Sequence, residues 1–262
     1  MIQEAPYTAI IVDEGQDFGP NAYRLIQPIA GTEHPNDIFI VGDAHQRIYK
    51  KRAVLSKCGI SVRGRSSRLR INYRTTEEIR KYAFAFLKGI SFDNLDDEYE
   101  VEEQCQSLTH GDYPEIQHFR SASEEYSFIV DKVKQLYDNG VDLKNIYLVA
   151  RTTSLLNDYI KTFHDAGIRS FEIKRTKVDN RTYEGVRIAT MHRVKGLEFQ
   201  YMFVAAANNR TIPLALAVDD TDEVSKQASI NSEKCLLYVA LTRAQKAACI
   251  TSYGTPSEFL PK

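Results

Sequence analysis

No stretch of this chain is apolar for long enough to cross a membrane. A helical span needs about 20 apolar residues, and runs such as Tyr201–Ala207 reach only the length of a strand. The opening residues, Met1–Pro6, lack the basic and apolar regions of a secretory leader. Cysteine is scarce and scattered: Cys58, Cys105, Cys235 and Cys249 lie far apart, with no Cys-x-x-Cys pair. That spacing argues against a zinc site or a disulfide framework and suits a reducing cytoplasm. Net charge is nearly absent, −1 from 34 basic and 35 acidic residues, so no global field draws the chain to nucleic acid. No internal repeat or low-complexity tract is present. Last, Gly-x-x-x-x-Gly-Lys-[Ser/Thr], the loop that cradles nucleotide phosphates, occurs nowhere in the 262 residues.

What is present is an ordinary globular composition, 43% hydrophobic and 26% charged, enough for one large or two modest domains. The charge is unevenly spread. From Arg47 to Arg74 the chain carries Arg47, Lys50, Lys51, Arg52, Lys57, Arg63, Arg65, Arg68, Arg70 and Arg74 with no acidic residue. From Asp93 to Glu103 the sign inverts and no base occurs. Such blocks are usually solvated surface. A basic strip is also what contact with a phosphate backbone requires.

Two short apolar runs end in carboxylates. Ile10–Val12 leads into Asp13-Glu14-Gly15-Gln16-Asp17, and Ile38–Val41 into Gly42-Asp43-Ala44-His45-Gln46. β-Branched runs of this kind predict strands 8–12 and 38–41, buried in a parallel sheet. Ligands of open α/β sheets sit beyond the C-terminal strand ends, so Asp13, Glu14 and Asp43 are aimed at a site. A carboxylate pair there suits Mg²⁺ with phosphate oxygens, or the orientation of an attacking water. The plain alternative is a strand that turns polar as it leaves the core. Gly42 reads as a tight-turn residue, and Gln46 as a neutral group able to sense phosphate or water.

Further along, a helix is expected near 20–29. A capping box, Thr75 with Glu78, opens another with Ile79, Tyr82, Ala83, Phe86 and Leu87 inward. Residues 88–113 read as a polar surface excursion. Strand 115–119 precedes a capping box at Ser121 and Glu124 and a helix stopped near Gly140. Strand 145–149 leads to a helix over 154–166 ended by Gly167. Strands follow at 186–190 and 199–205, then a polar segment over 208–232, a helix, and a closing strand over 248–251. Alternation of this kind implies a mostly parallel α/β sheet covered on both faces.

The motifs carry a family resemblance. Asp-Glu-x-Gln-Asp at 13–17 and Gly-Asp-x-x-Gln-x-x-Tyr at 42–49 resemble motifs II and III of UvrD/Rep-type superfamily 1 DNA helicases. Leu69–Arg74 resembles motif IV, Tyr147–Thr152 the strand and turn after it, Thr190–Phe199 motif V, and Leu237–Ala244 motif VI. They occur in the family's order across nearly the whole chain. The resemblance implies the C-terminal part of a first RecA-like motor domain over 1–65, followed by a complete second RecA-like, P-loop NTPase-type domain over 66–262. About 115 residues separate Arg74 from Thr190, which leaves no room for the large 2B insertion of many relatives. Since the family's phosphate loop precedes motif II, the chain is expected to begin midway through the first motor domain. The missing N-terminal half would come from the same gene or in trans.

The resemblance further implies ATP and Mg²⁺ as cofactors and 3′-to-5′ movement on single-stranded DNA by the intact cytoplasmic protein. Asp13 would coordinate Mg²⁺ and Glu14 activate the attacking water beside it. Gln46 would touch the γ-phosphate. Arg74 and Arg243 would act as arginine fingers, whose permanently charged fork matches phosphate oxygens. Glu198 would accept from the ribose hydroxyls. Thr190, His192 and Lys195 would meet the DNA backbone, although His192 also fits a core histidine. Tyr49 is followed by Lys50, Lys51 and Arg52, where relatives carry an aromatic that stacks on a base, so charge replaces stacking there. The rival expectation is a module without a phosphate loop that binds DNA or protein and does not hydrolyse ATP.

Overall fold

The computed structural model describes residues 7–31, 37–48, 53–92, 105–174 and 179–261. Tyr49, Lys50, Lys51 and Arg52, and the acidic block after Asp93, lie outside the described residues. The chain divides into two compact units, Met1–Arg70 with Gly89–Cys105, and Ile71–Lys88 with Gln106–Lys262.

In the first unit, β1 (Ile10–Val12) and β2 (Ile38–Ile40) pair in parallel, with Ile10 opposite Ile38 and Val12 opposite Ile40. Helix α1 (Pro20–Ala30) starts with proline in its first turn, where the missing N–H is no loss. Its Tyr23 and Ile26 join Val12, Ala53, Leu55, Cys58 and Ile60 in a small core. The strands are not buried on both faces, as their apolar runs had suggested. Ile11 is 75% and Phe39 63% exposed, because among the described residues only one face of this two-stranded sheet is covered.

The second unit holds a six-stranded sheet, parallel throughout. Its strands are β5 (Glu115–Phe119), β6 (Ile146–Ala150), β7 (Ser170–Glu172), β8 (Val186–Thr190), β9 (Phe199–Val204) and β10 (Ala244–Tyr253). Their spatial order is β5-β10-β9-β6-β8-β7. A separate parallel pair joins β3 (Ile71–Asn72) to β4 (Gln106–Ser107). Strand β6 is buried at every position, as a central strand covered on both faces must be. Helices α3 (Ala122–Asp138) and α4 (Thr153–Asp165) lay Ile129, Val133, Leu156, Tyr159 and Phe163 against Ile146, Leu148 and Ile188. Helix α5 (Glu223–Leu241) packs on β9 and β10.

Several local expectations shift. Helix α2 (Glu77–Ala85) is capped by Thr76, whose hydroxyl accepts from Ile79 N–H at 3.4 Å, not by Thr75. Glu78 is then free of capping duty and receives His110 and the Gly111 N–H instead. The Ser121 cap is as expected, accepting from Glu124 N–H at 3.3 Å. Helix α5 begins inside the segment expected to be irregular, because Asp222 caps it with a 2.8 Å bond from Ser225 N–H. The closing strand is longer than its apolar stretch and carries a bulge between Ala244 and Ala247.

Candidate functional site

In the first unit the candidate residues gather at the C-terminal edge of β1 and β2. Asp13 is exposed and its carboxylate accepts the Glu14 N–H at 2.8 Å. Glu14 adopts a left-handed backbone, φ 53°, a conformation that side chains with a Cβ resist and that clusters at working sites. Gln16, 1% exposed, ties the two strand ends together. Its Nε2 donates to Glu14 Oε2 at 2.5 Å and its Oε1 accepts Asp43 N–H at 2.9 Å. Asp43 in turn accepts from Gln46 Nε2 at 2.8 Å and from the His45 N–H at 2.9 Å. Partial burial works against the charge of Asp43, but the bonds from His45 and Gln46 hold its carboxyl below the ordinary range.

Two glycines make this knot possible, and neither needs a left-handed turn. A Cβ on Gly15 would lie 2.7 Å from the Tyr23 hydroxyl and 2.8 Å from an Ile40 methyl. One on Gly42 would lie 2.8 Å from Gln16 Oε1. Gly42 therefore leaves space beside Gln16, and its backbone is not left-handed. Gln16 itself was given no role from sequence; only the pairing of the two strands shows what it spans.

The second unit carries two clusters, at opposite ends of its parallel strands. At the strand starts, Glu198 precedes β9 and Arg243 precedes β10, and the Phe199 N–H donates to the Arg243 carbonyl at 3.0 Å. Arg74, just after β3, donates through Nε to Glu198 Oε1 at 2.5 Å. Gln245, inside the β10 bulge, donates to the other oxygen, Oε2, at 3.1 Å. Burial disfavours the Glu198 carboxylate, but Arg74, Gln245 and the charge of Arg243 outweigh it and keep the group below its ordinary range. Arg243 is 1% exposed and its Nε donates to Val239 O at 3.2 Å, so the structure keeps this guanidinium inside the fold. The sequence motifs had marked Arg74, Glu198 and Arg243; the bulge alone brings in Gln245.

At the strand ends, Ala150 lies opposite Thr190, and the chain then turns through Met191–Arg193. Arg151 follows Ala150 and makes a buried bidentate pair with Glu233 of α5, at 2.9 and 2.7 Å. Glu233 Oε2 also accepts Leu214 N–H at 3.0 Å. His192 is partly buried beside this pair. Burial, then the charge of Arg151, push its imidazole below the usual range; Glu233 opposes and Arg193 adds to the lowering. Thr190 and Lys195 are partly buried in the same stretch. Glu233, midway along helix α5, thus serves the cluster at the strand ends, and the chain that leaves the helix at Leu241 reaches Arg243 at the strand starts. Among the described residues no cluster of His, Cys, Asp or Glu of the kind that encloses a metal ion occurs. The exposed Asp13 with Glu14 offers the hard oxygen donors that Mg²⁺ shares with phosphates and water, so the residues fit that ion.

An all-parallel sheet with helices packed on it makes this an α/β domain, and its structural likeness to a helicase C-terminal domain places it in the RecA-like class. A solved structure, the C-terminal domain of a possible DNA helicase from Lactobacillus plantarum WCFS1, has this fold. Its TM-score is 0.51 at 18% identity, over 72% of this chain and 91% of that one. The profile of the UvrD-like helicase C-terminal domain matches residues 67–182 and 170–255, and that of the UvrD/REP helicase N-terminal domain matches 3–56. The chain belongs to the UvrD-like helicase family. A probable DNA helicase of Mycoplasma pneumoniae is 27% identical over 96% of this chain and 46% of its own length. The putative ATP-dependent DNA helicase YjcD of Bacillus subtilis is 35% identical over 40% of this chain and 13% of its own. The chain spans less than half the length of these relatives.

Proposed function

We propose that this chain forms the C-terminal portion of an ATP-dependent DNA helicase or translocase that couples ATP hydrolysis to movement on single-stranded DNA. The observation that carries the proposal is the cluster at the strand starts. Arg74 and Arg243, one on each side of a motif, converge their charge on Glu198, which is the donor and acceptor set a ribose triphosphate needs. Asp13 and Glu14 would hold Mg²⁺ and orient water, with Gln46 steadied by Asp43 to sense the phosphate. Bound Mg²⁺ would neutralise charge on the phosphates. Thr190, His192 and Lys195 would face the DNA backbone, where donors matter and base identity does not. The partners are then single-stranded DNA and the missing N-terminal half, in the cytoplasm.

The rival, a binding module without ATPase activity, draws on one observation: Arg243 is enclosed by the fold. A phosphate-release assay separates the two. The 262-residue chain alone should show no DNA-stimulated turnover. With the N-terminal half supplied in trans, turnover should appear, and Arg243→Ala should depress it by about 10³–10⁵ with little change in nucleotide or DNA affinity. Arg243→Lys should not restore it, because an ammonium lacks the two-pronged contact. Near-normal turnover by Arg243→Ala would put the binding module ahead; robust turnover by the chain alone would end the claim that it needs a second half.

A further inference from the structure

We propose that Glu198 is also a built-in counter-ion of Arg74, one that the phosphates of an incoming nucleotide must displace, and that this exchange makes the site prefer nucleotides to free polyphosphate. The inference rests on the reading of Arg74 and Glu198 as nucleotide ligands. Arg74 Nε and Glu198 Oε1 are 2.5 Å apart, a short charge-assisted contact between residues 124 positions apart in the chain. Both side chains keep contact with solvent, 38% and 41% exposed, so a ligand can reach the pair. Gln245 is the positioning residue. Its neutral amide holds Oε2 at 3.1 Å from a bulge that re-aims it, without competing for the arginine.

A guanidinium edge that faces a carboxylate cannot at the same time face a phosphate, and the carboxylate repels the phosphate that would replace it. An exposed ion pair tilts such an equilibrium by only about two- to fivefold, so the latch is light enough for a triphosphate to open. Inorganic polyphosphate that opens it leaves Glu198 with Gln245 on one oxygen and only water on the other. A nucleotide gives the released carboxylate a second use, accepting ribose hydroxyls, and so recovers the loss. Glu198 thereby reads ribose twice, once by attraction and once by exclusion of ligands that lack it.

The full 262-residue chain can be titrated with sodium tripolyphosphate and with ATP at low salt, following affinity by calorimetry and the Arg74 Nε–H resonance by NMR. E198Q should bind tripolyphosphate about two- to fivefold more tightly than the unmodified chain, while ATP gains less or weakens. The tripolyphosphate gain should vanish in R74A/E198Q, and Q245A should move the preference the same way as E198Q. Unchanged tripolyphosphate affinity in E198Q, with R74A weakening it, overturns the latch and leaves Arg74 a phosphate ligand. A gain that survives in R74A/E198Q overturns it too, since the effect would then be general charge. If neither ligand moves the Arg74 resonance, and R74A changes nothing, both the latch and the nucleotide reading beneath it fail.

Discussion

At the scale of single residues, the strand-end knot is the tightest constraint in the first unit. Gly15 accepts the Tyr23 hydroxyl at 2.7 Å on its carbonyl, and that ring, deprived of water, has its phenol pushed up to about 12, chiefly by burial. Gly15→Ala would drive a methyl into the hydroxyl and Ile40 together. Overpacking of this kind costs about 1–3 kcal/mol, read as a lower urea midpoint. Gly42→Ala should displace Gln16 and loosen both Glu14 and Asp43, with a smaller loss of stability because an amide can swing aside. A second residue gives a pH signature. Glu77 is buried, bonded by Arg80 at 2.9 and 2.7 Å and by Ser107 N–H at 2.8 Å. The Arg80 bond above all lowers its pKa to about 2. A depressed carboxyl contributes stability above its unfolded value, and that contribution fades as pH falls through the folded one. Thermal stability should therefore drop between about pH 5 and 2, and Glu77→Gln should flatten that drop.

At the scale of elements, α5 ties the two ends of the sheet together. Its anchor is the Arg151–Glu233 pair, buried to 9% and 7% side-chain exposure. Removing one partner of such a pair leaves a stranded charge and costs about 3–5 kcal/mol. Arg151→Met and Glu233→Met should each lower the melting temperature sharply, whereas the two together should recover much of the loss. Additive losses in the double variant would mean that the two side chains act independently. The element scale also shows what could be read in advance. Helices α3 and α4 were legible because their buried residues recur at helical spacing, and β6 because it is continuously apolar. The second half of helix α5 was legible too, but its first turns were not, since they are exposed and polar and only Asp222 marks its start. Strands β3, β4 and β7 are two or three residues long, too short for any period. At the site, the family resemblance pointed to Arg74, Glu198 and Arg243, but three facts needed the assembled sheet: that Arg243 lies inside, that Arg74 meets Glu198, and that a bulge delivers Gln245.

At the scale of the whole molecule, charge is local and not global. Arg63, Arg65, Arg68 and Arg70 are exposed on the described part of the basic strip. If the strip meets DNA phosphates, single-strand affinity should fall steeply with salt, and alanine at Lys50, Lys51 and Arg52 should weaken all sequences alike. A flat salt titration would make the strip ordinary solvated surface.

The strand order has a consequence for how the molecule is made. Strand β5 finds its partner in β10, with Ile116 opposite Ile250, and β6 to β9 all lie between the two in the chain. During synthesis, β5 must therefore wait for those four strands and β10 itself to emerge before it is paired. Long-range parallel pairing is slow, and an uncovered edge invites pairing with another chain. Nascent chains halted just before Ala244 should be captured by chaperones or aggregate, while emergence of β10 should let the sheet close at once.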